Sequence, residues 1–116
     1  MNYIDGFVTP VPTESKEKYL AHVKVVVPMF KEYGALQVVE CWGDDVPEGK
    51  LTSFPMAVKK EPNETVVFSW VVWPSREVRD EAWGKIMADP RITQAEAPPF
   101  DGKRIIYGGF QKIFEL

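Results

Sequence analysis

Hydrophobic positions along this chain switch twice from strand-like to helix-like spacing. Residues 2–11 are β-branched and aromatic and run into prolines, which predicts a strand, with Gly6 marking a bulge or a close neighbour. Thr13 follows as the expected N-cap of a helix, with Glu14 and Glu17 in its positive first turn. Tyr19, Val23, Val26, Val27 and Phe30 then recur at helical spacing, Gly34 is the stop, and Pro28 should kink the helix or loosen a turn. Residues 35–43 return to strand character and residues 44–50 form a turn-rich loop. Residues 51–59 are expected to be extended and to make a hairpin with Glu64–Trp73. Pro74-Ser75 repeats the strand–Pro–hydroxyl–helix device, and Ala82, Trp83, Ile86 and Met87 mark a second helix that ends at Asp89-Pro90. A short helical stretch fits residues 91–97. Residues 103–116 read as a long final strand that Gly108-Gly109 would bulge or bend.

This order predicts an α+β fold, a ferredoxin-like split β-α-β sheet with its helices on one face. The strand Glu64–Trp73 is apolar on both faces: Val66, Phe68, Trp70 and Val72 on one, Val67, Ser69, Val71 and Trp73 on the other. Helices cover one face, so the other calls for more protein, and a second subunit is the expected cover.

Composition narrows the field. The chain has 116 residues, which fits one domain over 1–116 with a core that needs no staple. Its net charge is −3, with 14 basic and 17 acidic side chains and no basic cluster, which argues against nucleic-acid binding. Its longest apolar run, residues 25–30, is far below the ~20 residues a bilayer requires, so no membrane partner is expected. The first five residues lack a basic start and meet Asp5, which speaks against a signal peptide. Cys41 stands alone in an apolar stretch and is expected to be a buried, inert thiol in a reduced, cytoplasmic protein.

The segments Tyr3-Ile4-Asp5-Gly6-Phe7-Val8, Gly43-Asp44-Asp45-Val46-Pro47, Thr52-Ser53-Phe54-Pro55, Val67-Phe68-Ser69-Trp70 and Pro99-Phe100-Asp101-Gly102-Lys103-Arg104 span nearly the whole chain. Together they resemble the YbaA-like family of small uncharacterised bacterial proteins. That family looks like a branch of the dimeric α+β barrel superfamily, which implies a homodimer built from two such sheets. The superfamily holds both enzymes and non-catalytic members, so the resemblance carries over no catalytic residues.

Candidate chemistry rests on few side chains. His22, the single histidine, lies at the border of the first helix's apolar face and is a candidate proton acceptor. Asp5 and Glu40 interrupt apolar strands; if buried, each must carry a raised pKa or find a cationic partner. Arg79, one turn before Trp83, is the natural partner of a carboxylate or an acidic ligand, and Trp70 is a candidate ligand-binding aromatic. Asp44, Asp45 and Glu48 lack the spacing of a Ca²⁺ loop, and one thiol with one imidazole cannot close a zinc shell, so neither metal nor cofactor is expected. The expected function is binding or transforming a small molecule in a sheet–helix cavity. The alternative is a non-catalytic homodimer acting in interactions or stress.

Overall fold

The computed structural model describes residues 2–116. Four strands, β1 (Tyr3–Pro12), β2 (Gln37–Trp42), β3 (Glu64–Trp73) and β4 (Ile106–Gln111), form one antiparallel sheet in the order β2-β3-β1-β4. Two long helices, α1 (Lys16–Glu32) and α3 (Arg76–Ala88), cross it, and two single turns, α2 (Phe54–Ala57) and α4 (Pro90–Thr93), lie in the connections.

Register assigns the faces. Asp5 pairs with Val71, Phe7 with Ser69 and Thr9 with Val67, so these side chains share one face with Val38 and Glu40 of β2. That inner face carries the helices: Phe30 of α1 and Ala82 and Ile86 of α3 pack with Val71 and Trp73. Trp73 is fully buried, with its ring centroid 6.2 Å from that of Phe30. β1 tolerates Pro10 and Pro12 because β4 pairs only as far as Val8, leaving the end of β1 with a single neighbour.

Several local expectations hold. Ser75 caps α3 by accepting the Val78 N–H at 3.2 Å. Gly34 ends α1 at φ 113°, with the Ala35 N–H donating to the Phe30 carbonyl at 3.0 Å. Gly6 has a close neighbour in the Phe110 ring, which would lie 3.6 Å from an added Cβ.

Others are corrected. Residues 51–59 are not a strand: Ser53 accepts the Met56 N–H at 3.1 Å and Pro55 sits in the first turn, so the segment makes the single turn α2. The hairpin partner of β3 is β2, across a long connection. Thr13 does not cap α1; its hydroxyl shares a 2.7 Å hydrogen bond with that of Thr65, and a short 3-10 turn (Thr13–Ser15) leads into the helix. The final strand is only six residues long, and its glycines hold regular register, Gly108 opposite Gly6 and Gly109 opposite Asp5, with no bulge. Cys41 lies half-buried on the outer face, opposite Phe68, and is not in the core.

The outer face is only partly covered. Val58, from the connection carrying α2, packs on Val8 and Val66, and Phe54 meets Phe68 edge-on at 5.9 Å. Beyond them Phe68, Ile106 and Phe110 are 43%, 43% and 60% exposed. Among the described residues no helix is long and apolar enough to cross a membrane.

The stop at Gly34 gives a direct test. An Ala there would adopt a left-handed backbone and bring its Cβ to 2.9 Å from Val78 Cγ1. Gly34→Ala should lower unfolding stability by about 1 kcal/mol or more. Gly102→Ala, with nothing within 4 Å, should stay within about 0.5 kcal/mol in the same urea titration.

Candidate functional site

The helices do not seal the inner face. A cavity of about 760 Å³ opens between the sheet, α1, α3 and the segment that follows α4, and Asp5, His22, Arg79 and Phe100 are among the side chains on its wall. A smaller recess of about 190 Å³, sharing His22, Phe100 and Trp83, continues toward β2 and reaches Glu40 and Ser69. The larger volume lies in the range of small-molecule sites.

The covering segment is pinned at both ends. Arg91 reaches Glu32 at 3.1 and 2.7 Å and Asp89 at 3.1 and 2.8 Å, while Tyr33 donates to Asp89 at 2.7 Å. These donors hold the Asp89 carboxyl far below the usual range, Arg91 first among them. At the other end Arg104 forks onto buried Glu64 at 2.7 and 2.6 Å and contacts Asp101 at 3.0 Å. Between the pins Phe100 turns inward, its ring centroid 5.9 Å from Tyr19 and 6.1 Å from His22.

Two carboxylates, one on each cavity, have opposite kinds of partner. Asp5, 3% exposed, accepts from Arg79 Nη2 at 2.7 Å, from Arg79 Nε at 3.1 Å to each oxygen, and from the indole N–H groups of Trp73 and Trp83, each at 2.9 Å. The bonded carboxylate raises the Arg79 pKa, and Asp80 adds a 2.9 Å contact at Nη1. The guanidinium also lies over the Tyr3 ring at 5.3 Å. Glu40 receives Tyr19 Oη at 2.5 Å and Ser69 Oγ at 2.9 Å, both on Oε1. Its Oε2 takes no side-chain hydrogen bond among the described residues. Burial, reinforced by Glu40, pushes the Tyr19 phenol up, so it stays a donor.

His22 sits on α1 beside the recess. Burial lowers its pKa and the negative charge of Glu40 partly opposes that, so its imidazole is neutral near pH 7 and open to accept a proton. Asp5, His22 and Arg79 thus line the larger cavity and His22 and Glu40 the adjacent recess, with His22 common to both. Trp70 lines neither: it lies on the outer face beside Phe68, with its indole donating to Gln37 at 3.3 Å. Among the described residues no three His, Cys, Asp or Glu side chains cluster to hold a metal ion.

Residues 2–102 match the family described as protein of unknown function (DUF1428). The chain belongs to the DUF1428 family. It is 56% identical over 116 residues to the uncharacterized protein YbaA of Escherichia coli K12, covering 99% of both chains, and equally so to that of Shigella flexneri. Among solved structures, the de novo designed protein Foldit4 superposes over 97% of this chain and 99% of its own, with a TM-score of 0.46 and 10% identity.

Tyr19, Ser69 and Phe100 of this DUF1428 chain escaped the sequence reading as site residues. Ser69 carried a signal, being the lone hydroxyl between Val66 and Trp73 in an apolar strand. Tyr19 read as core, and Phe100 stands far along the chain from the helix it touches.

Two outcomes test this geometry. Asp5→Ala strands a guanidinium and two indole donors and should cost about 3 kcal/mol in denaturant unfolding. The double variant Asp5→Ala/Arg79→Ala should cost less than its two parts together. The second concerns pH. Because the folded-state pKa of His22 lies below the 6.5 of the unfolded side chain, the unfolded chain takes up the proton first. Stability should therefore hold above about pH 6.5 and fall as pH drops from there through the folded-state value. His22→Gln should flatten that slope. It should leave the separate loss at lower pH, where Glu64 and Asp89, both held low by Arg partners, become protonated.

Proposed function

We propose that this DUF1428 protein binds a small molecule in the sheet–helix cavity and handles a proton there, as a cytoplasmic protein with a single ferredoxin-like domain. One observation carries the reading. His22 lines both the ligand-sized, aromatic-walled cavity and the smaller recess beside it, and Glu40, with one oxygen taking no side-chain hydrogen bond among the described residues, lines that recess. Asp5 and Arg79 serve as positioning residues, because the donors on Asp5 leave it no free role as a base. The sheet order β4-β1-β3-β2, with α1 and α3 on one face, supports the ferredoxin-like assignment.

A second reading concerns assembly and draws on the outer face. Ile4, Val8, Phe68, Trp70, Ile106 and Phe110 border an open apolar trough of about 570 Å³. A second copy packed face to face, as in dimeric α+β barrels, would cover it and should bury more than about 1,200 Å² in total.

Titration with indole, a flat apolar probe with one N–H donor, tests the site by NMR. The His22 imidazole and Trp83 indole resonances should move while those of Trp70 stay fixed. Shifts confined to Trp70 would place binding on the outer trough, and no shifts would remove the cavity as a site. Sedimentation equilibrium at micromolar concentration should give a dimer that Phe110→Glu converts to monomer. A wild-type monomer would sink the second reading.

A further inference from the structure

We propose that the cavity selects an uncharged, flat, apolar molecule bearing a hydroxyl donor and rejects anionic counterparts of the same shape. The inference rests on the cavity being the binding site and adds the chemistry of what enters it. Three carboxylates border the cavity (Asp5, Asp80 and Glu96) and a fourth, Glu40, the adjacent recess, against the single guanidinium of Arg79. That guanidinium is already matched: Asp5 holds its Nε and Nη2, and Asp80 holds Nη1. The cation expected to attract an acidic ligand is therefore neutralised within the protein. Glu96 makes no ion pair among the described residues, and Glu40 meets only the neutral donors Tyr19 and Ser69. An entering carboxylate or phosphate would lose water and meet the uncompensated charge of half-buried Glu40 at close range, with exposed Glu96 adding a weaker, solvent-screened repulsion at the mouth.

A hydroxyl donor meets the opposite situation. Glu40 Oε1 is occupied by two donors, which fix the carboxylate, while Oε2 takes no side-chain hydrogen bond among the described residues and Glu40 lines the recess. The walls favour a flat ring. Trp83 stands 6.2 Å from Phe7 and 5.2 Å edge-on from Phe30, and Phe7 is in turn 6.4 Å from Tyr107. Aromatic walls with one oriented acceptor discriminate on the presence of the donor, since a molecule lacking it leaves that acceptor unpaired.

Calorimetric titration near pH 7 with 2-naphthol, naphthalene and 2-naphthoate separates the possibilities. In the wild-type protein 2-naphthol should bind at least about tenfold more tightly than 2-naphthoate, with naphthalene between them. Glu40→Gln keeps the shape and removes the charge, so it should narrow the naphthol-to-naphthoate ratio severalfold. Glu96→Gln, on the exposed covering segment, should strengthen naphthoate while leaving naphthol unchanged, which keeps the test available if Glu40→Gln fails to fold. Naphthoate binding as tightly as naphthol, or a ratio that neither variant changes, would overturn the inference while leaving the site in place. Failure of all three probes would overturn the site itself and this inference with it.

Discussion

A carboxylate in the covered face of a sheet must gather donors or lose its charge, and the arrangement around Asp5 follows from that requirement. Its donors are three residues on two elements: the indole of Trp73 from β3, and the indole of Trp83 with the fork of Arg79 from α3. Satisfying them sets the depth and rotation of α3 on the sheet. β4 has to make room, because a Cβ on Gly109 would stand 2.6 Å from Tyr3 Oη and 2.8 Å from Arg79 Nη2. Glycine in β4 is thus a consequence of a charge in β1.

The same requirement explains why the inner face is not solid. Arg79 and Trp83 are drawn toward Asp5, Phe30 packs against Trp73 and Trp83, and space remains between α1 and α3. The segment after α4 spans that space without filling it, because it is held at its ends by Arg91 and Arg104 and contributes Phe100 from its middle. Glu40 forms a second polar centre farther along. It is supplied by two neutral donors, and among the described residues it makes no ion pair and its second oxygen takes no side-chain hydrogen bond. The two carboxylates differ in role because they differ in partners, one locking the fold and one lining the recess.

Local signals carried much of the architecture. Hydrophobic spacing located both long helices, and the device at Pro74-Ser75 is seen in the cap on Val78. The expectation that a buried carboxylate would find a cation holds for Asp5, with Arg79 its legible partner, whereas half-buried Glu40 takes the neutral donors Tyr19 and Ser69 instead. The reading failed where competing local preferences were close. Residues 51–59 hold enough apolar side chains for a strand, yet the Ser53 cap and Pro55 tip them into a turn, and Thr13 found Thr65 across the sheet instead of an N–H in its own helix.

The sequence by itself determined the α+β class, the alternation of strands with the two long helices, the family resemblance and the short roster of side chains able to do chemistry. These depend on periodicity, caps and residue type, which act over a few neighbours. Tertiary structure alone decided that Ser69 and Tyr19 share Glu40, that Phe100 reaches His22, that Trp70 points away from the cavity, and that Gly109 lies beneath Arg79. The contacts at Glu40, His22 and Arg79 join residues 20 or more positions apart. What brings them together is strand register and the packing of two helices on one face, and neither leaves a mark in any short stretch of sequence.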